Sequence, residues 1–348
     1  MLFAAGQIRG ILGIMLPRAL IPPDRPKITV RSEQFPLERA ADGTRGRAEI
    51  VLVEIHEGSK RGRGECVPDP ARGETADAVV ALIEAVANDI STGIITRRSL
   101  QRMMPAGAAR NAIDLALWDF DAKRTGSSAW QIAGLDVPHR VTTSFAIPPG
   151  SADAMGAAAA EQAHRPLLKL TLESVHEFDR LLAVKRAAPR ARLIIDACQG
   201  WTLDSLTRAL PTLAEAGVEL IEDPLPVGVD RTLRGFKHGI PICANRTCND
   251  RSSLPELAGL YDAINVELDR TGGLTEALAL IEQARDEGFR VKLGCRLGTS
   301  LAVAPAVIAG QDADWIDLDA PLLLGRDRQP GLRFDGSLLY PPSVSLWG

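Results

Sequence analysis

Leu193-Ile194-Ile195-Asp196-Ala197-Cys198-Gln199-Gly200-Trp201 is the stretch that decides the fold. Three apolar residues make a buried strand, and the strand stops at a carboxylate. The pattern returns as Glu219-Leu220-Ile221-Glu222-Asp223-Pro224 and as Ile240-Pro241-Ile242-Cys243-Ala244-Asn245-Arg246. It returns once more as Ala263-Ile264-Asn265-Val266-Glu267-Leu268-Asp269. An amphipathic, helix-length segment follows each run. From Thr171 through Asp196, Glu222 and Asn245 to Glu267 the steps are 25, 26, 23 and 22 residues. One strand plus one helix fills each step, so the repeat predicts a parallel α/β barrel. Polar residues at the C-terminal ends of its strands then face one shared mouth.

Working outward, the barrel is expected to begin over residues 141–147 and continue over 167–172. Residues 291–295 and 315–319 supply its last two strands. A lone barrel needs ~250 residues, and this chain has 348. The surplus lies ahead of the barrel. Residues 27–30, 48–55 and 62–67 read as strands, with Gly58 and Gly62 bracketing the second turn. Val79, Val80, Leu82, Ile83, Val86 and Ile90 then recur at helical spacing. Further helices are expected over 97–104, ended before Pro105, and over 106–124, with Gly126 as C-cap. The expected organisation is a loose extension (1–26), an α+β capping domain (27–138), a β/α barrel (139–325) and a tail (326–348) packing back on the cap.

Composition excludes several function classes. The net charge is −4 and no basic stripe appears, so nucleic acid is not an expected partner. Five scattered cysteines argue against a disulfide framework and for a reducing cytoplasm. No apolar run reaches the ~18 residues of a membrane span. The first residues lack the basic start and cleavage site of a secretory signal.

The chain resembles the enolase superfamily, in its dipeptide epimerase and N-acyl amino acid racemase branch. The stretches that carry the resemblance are Arg63-Gly64-Glu65-Cys66-Val67-Pro68, the run from Ala108 to Asp119, Asp196 to Trp201, Ile221-Glu222-Asp223-Pro224-Leu225-Pro226, Thr271-Gly272-Gly273-Leu274 and Asp317-Leu318-Asp319. They span nearly the whole chain from Lys27. The resemblance implies a Mg2+ ion on three strand-end carboxylates, binding the substrate carboxylate and stabilising an enediolate. It implies two lysines, on strands two and six, that move the α-proton between faces. It also implies an Asp-x-Asp that grips the substrate's amino group, and a homo-oligomer.

Carried over residue by residue, Asp196 and Glu222 match two metal ligands, and Asn245 stands in place of the third. Lys169 matches the first lysine of a Lys-x-Lys pair, while Thr171 stands where its catalytic second member belongs. Glu267 stands for the strand-six lysine, and Asp317 and Asp319 match the amino-group clamp. A threonine hydroxyl is no base near neutral pH. Asn245 weakens a metal site without forbidding it. Arg246 either fills the metal's place with its guanidinium fork or points into the barrel wall. Cys198 reads as a small core residue. The five histidines fall on expected turns, helices or outer loops, which leaves no histidine base. The loop around Arg39, Arg45 and Arg47 either lies over the mouth to meet a substrate carboxylate or is plain solvated loop.

Three functions follow. The first is a non-catalytic or altered-function barrel binding an acidic or amino-acid-like ligand. The second is an enzyme using Glu267 or Lys169 as a single acid–base group. The third is an active dipeptide or N-acyl amino acid epimerase that abstracts a proton α to a carboxylate.

Overall fold

The computed structural model describes residues 25–37 and 46–348. Arg39 and Arg45, and nearly all of the expected N-terminal extension, lie outside the described residues.

Three antiparallel strands open the fold in the order β1 (Lys27–Pro36), β2 (Arg47–Glu57) and β3 (Lys60–Cys66). His56 therefore lies in a strand and not in a turn. Helix α1 (Ala76–Ser91) starts where the Thr75 side chain accepts from the Ala78 amide. Helix α2 (Arg97–Met103) starts at a Thr96 capping box. Helix α3 (Ala108–Thr125) is buried along most of its length and lies against β3. Gly64 permits that approach: a Cβ there would stand 2.0 Å from the Ala112 carbonyl oxygen. The single turn α4 (Ala129–Ile132) ends this region.

The barrel region follows. It contains β4 (Val141–Thr142), β5 (Phe145–Ala146), α5 (Ala152–Glu161), β6 (Leu167–Thr171), α6 (Phe178–Ala187), β7 (Arg192–Asp196), α7 (Leu203–Glu215) and β8 (Val218–Glu222). A 3-10 turn over Asp230–Leu233 takes the helix position before β9 (Ile242–Ala244). Next come α8 (Leu254–Leu257), β10 (Ala263–Glu267), α9 (Leu268–Thr271), α10 (Leu274–Asp286), β11 (Arg290–Gly294), α11 (Ser300–Ala309) and β12 (Trp315–Asp317). Strands β5 to β12 form one eight-stranded parallel sheet in sequence order. The Ser144 amide donates to the Ile316 carbonyl at 2.8 Å and draws the two ends of that sheet together.

Sequence periodicity expects one strand over 141–147, but the structure divides it. β4 leaves the barrel and pairs with β14 (Leu338–Leu339), itself paired with β13 (Phe334–Asp335). The last residues reach the opening region. Trp347 is buried and donates to the Leu115 carbonyl, and the Gly348 amide donates to Asp119. One apolar core joins Leu52, Leu115 and Trp118 of the opening region to the barrel. Among the described residues, no helix is long and apolar enough to cross a membrane.

Candidate functional site

A strand alternates its side chains with a period of two. The inward floor of the barrel is apolar: Leu167, Ile194, Leu220, Cys243, Ala263 and Trp315 pack as one buried cluster. Two positions further along the same strands stand Lys169, Asp196, Glu222, Asn245, Asn265 and Asp317. β11 adds Lys292, in register with Asn265. A polar layer therefore rests on an apolar one, at the end of the barrel where the chemistry of such folds is found. Thr171 pairs in register with Asp196 across β6 and β7, one layer above Lys169.

The polar layer is held by charge. Lys169 Nζ lies 2.9 Å from Asp317 Oδ2, 3.5 Å from Glu222 Oε1 and 3.7 Å from Asp196 Oδ2. Lys292 Nζ lies 2.8 Å from the same Asp317 oxygen and 3.2 Å from the same Glu222 oxygen. Glu222 and Lys292 are fully buried. At ~4 Å two unit charges interact by about 4 kcal/mol at an effective dielectric near 20. Burial disfavours the charge on Asp317, yet Lys169 and Lys292 outweigh it and hold this carboxyl well below the usual range. Burial also opposes the charge on Lys169, but Asp317, Glu222 and Asp196 raise its pKa well above that of a free lysine. Glu222 shares the same cations, but burial dominates and pushes it up to about 7. Asp319 is raised to about 6 by burial and then by the charge of Asp317, and its Oδ2 accepts from the Ala146 amide at 2.6 Å.

The β9–β10 side is held by hydrogen bonds. Asn245 Nδ2 donates to Glu222 Oε2 at 3.3 Å, and Asn265 Nδ2 donates to Asn245 Oδ1 at 2.9 Å. Glu267 accepts from Asn265 at 3.1 Å and from Arg270 at 3.3 Å. Gly294 makes room for this web, since a Cβ there would stand 2.7 Å from Asn265 Oδ1.

Two expectations need correction. Arg246 does not fork onto Asp196 and Glu222: its side chain is half exposed and its Nε lies 3.9 Å from Asp223. It follows the inward Asn245, so strand alternation turns it away. Cys198 is not a core residue. It is partly exposed, has φ 50° and donates its amide to Asp196 at 3.0 Å. Burial, then Asp196, push its thiol up to about 12, so it is no ready nucleophile. Cys198, Gln199 and Asp223 are the non-glycine residues with left-handed backbone among those described, and all sit at this mouth. Lys292 was legible as a charge inside the apolar run Val291-Lys292-Leu293, yet sequence reasoning gave it no role.

A cavity of about 680 Å³ opens above the layer. Lys169, Asp196, Asn245 and Glu267 line it from the barrel, and Arg47, Val67 and Glu74 from the opening region. Asp317 and Asp319 lie buried beneath.

The residues present do not fit a divalent cation. Among the described residues, no group of three or more His, Cys, Asp or Glu is placed to hold a metal ion. Asn245 turns an N–H toward Glu222 while its oxygen is taken by Asn265. An ammonium already stands between Asp196 and Glu222.

Known proteins match along most of the chain. A model of the mandelate racemase/muconate lactonizing enzyme N-terminal domain matches residues 27–134, and an enolase C-terminal domain-like model matches 152–329. The L-Ala-D/L-Glu epimerase of Escherichia coli K12 is 41% identical over 90% of this chain and 99% of its own length. A solved structure from Agrobacterium tumefaciens, described as an enolase family member with homology to dipeptide epimerases, holds bound sodium and L-Ala-L-Glu. It superposes with a TM-score of 0.89 at 44% identity, covering 93% of this chain and 100% of its own. The dipeptide epimerase of Methylococcus capsulatus, complexed with Mg and L-Arg-D-Lys, is 28% identical with a TM-score of 0.82, covering 91% and 97%.

Proposed function

The chain belongs to the enolase superfamily, and on that premise we propose that its mouth binds a dipeptide or N-acyl amino acid without passing the α-proton from one face of the carbon to the other. The state of Lys169 carries this reading. A base must be free of its own proton, and Lys169 is clamped as an ammonium by three carboxylates. Thr171, in place of the expected base, cannot ionise near neutral pH. Glu267, in place of its opposite, has both oxygens engaged by Asn265 and Arg270. Two-face transfer needs a competent group on each side, and general acid–base catalysis supplies ~10²–10⁴ of the rate.

Binding is supported by the cavity's two signs of charge. Lys169, Arg47 and Arg296 line it with Asp196, Glu267, Glu49 and Glu74. A dipeptide zwitterion, with its carboxylate and amino group apart, matches such a surface, and an N-acyl amino acid meets its cations through the carboxylate. In this reading the cap spans 27–138, the barrel 139–325 and the closing tail 326–348.

A second reading is favoured by the 41% identity with a curated epimerase over nearly its full length. There the chain is an isomerase with altered chemistry: Glu267 takes the α-proton on its own face and a water molecule returns one to the other. Incubation in heavy water with L-Ala-L-Glu and with N-acetyl-glutamate separates the two by NMR. The proposed reading expects ligand line-broadening on binding, with the α-proton signal intact. Enzyme-dependent loss of that signal supports the isomerase, and inversion at the α-carbon overturns the first reading.

A further inference from the structure

A lysine inside a barrel strand is costly unless something holds its charge. Lys292 lies between Val291 and Leu293, fully buried and off the cavity wall, so it touches no ligand. Its ammonium and that of Lys169 converge on one oxygen of Asp317 and one oxygen of Glu222. Glu222 Oε1 has no hydrogen-bond donor in bonding geometry, so this buried oxygen is held by the two positive charges. Asp196 completes the group at 3.7 Å from Lys169. Three carboxylates thus face two ammoniums, in the place where the superfamily resemblance implies a divalent ion. Asn245 supplies no fourth negative charge.

We propose that Lys169 and Lys292 are the resident cation of this mouth: tethered positive charges that hold the strand-end carboxylates together and meet a ligand carboxylate without magnesium. Lys292 positions from below, as a fixed counter-charge to Glu222 and Asp317. Lys169 lines the cavity and is the charge an entering carboxylate meets. A lysine is a point charge with rotatable donors, whereas magnesium demands near-octahedral oxygen geometry. A divalent ion added here would bring two further positive charges against the two ammoniums. Its oxygen donors would be carboxylates that already face them. The inference rests on the proposed function only for the choice of mouth, and its test contains no peptide, so the two can fail separately.

The test is calorimetric titration of MgCl2 into the full chain, with melting curves in magnesium and in EDTA. No saturable heat is expected up to about 10 mM, a range in which a millimolar site registers. The melting temperature is expected to be the same in both buffers. Saturable binding, or a melting shift on chelation, overturns the proposal. Lys169→Met uncovers Asp196 and Glu222 from the cavity side. It is expected to bind magnesium at least about tenfold tighter than the native chain, a difference of 1.4 kcal/mol. Equal weakness in the variant and the native chain also overturns it. The native titration stands whether or not the variant folds.

Discussion

Two of the buried polar clusters among the described residues are built in opposite ways. Along the seam between the opening region and the barrel, charges meet fixed hydrogen-bonding partners. Asp269 accepts from the Val67 amide at 3.0 Å and from Asn111 at 2.7 Å. Glu65 accepts from Thr299 through one oxygen and from Arg328 through the other. Arg296 grips Asp69 with two bonds, at 2.9 and 3.2 Å. In the mouth, by contrast, two ammoniums are shared among three carboxylates, and Glu222 keeps an oxygen with no hydrogen bond. Directional bonds fix a geometry and hold two bodies in register. Shared charges fix a potential and leave room for another charged group to enter. On the proposed reading, the seam is scaffold and the mouth is the receptor.

The contrast is tested hardest at Lys292. Lys292→Met leaves Lys169 alone to face three carboxylates, and about 3–5 kcal/mol of stability should be lost at pH 8 in urea unfolding. The loss should shrink at pH 5, because Glu222, with a pKa of about 7, then carries a proton. An equal loss at both pH values would mean that packing, not charge, is what Lys292 provides.

On the seam, Asp269 is raised to about 7 by burial. The native state therefore keeps a proton that the unfolded chain gives up near its ordinary value of about 4. Its contribution to stability is full below about pH 4 and is lost as the pH rises through 7. Asp269→Asn should flatten that slope, worth about 2–4 kcal/mol across the window. An unchanged profile would assign the slope to other carboxyls.

Arg296→Ala should cost about 1–2 kcal/mol, since its bonds to Asp69 are charge-assisted but partly exposed. Hydrogen exchange should speed at the Val67 amide before it does in the barrel strands. The smallest effect is expected at Arg246. With its side chain half exposed and its guanidinium 3.9 Å from Asp223, Arg246→Ala should change stability by less than about 0.5 kcal/mol. Ligand binding should be unchanged. A larger loss would restore Arg246 as a member of the mouth.

Much of this was legible in the sequence because a barrel writes its period into the chain. Lys169, Asp196, Glu222, Asn245, Asn265 and Asp317 each follow an apolar floor residue by two positions, as Asp196 follows Ile194 and Glu222 follows Leu220. Lys292 escapes that rule, because the residue two positions before it is the exposed Arg290, and one charge inside an apolar run is easily read as part of the run. Parity also turns Arg246 away from the site, which its adjacency to Asn245 obscures. The division of residues 141–147 was not legible, because the partner that captures Val141–Thr142 is a hairpin nearly 200 residues on. The burial of Asp317 beneath two lysines is likewise a meeting of β6, β11 and β12, and no local pattern announces it.

The central claim is that the cation of this mouth belongs to the chain. A crystal structure grown with manganese and L-Ala-L-Glu tests it most directly, through anomalous scattering. A tethered cation leaves no anomalous peak between Asp196 and Glu222, with Lys169 Nζ still against both and the peptide carboxylate beside it. A manganese peak at that position, with Lys169 swung aside, would contradict it.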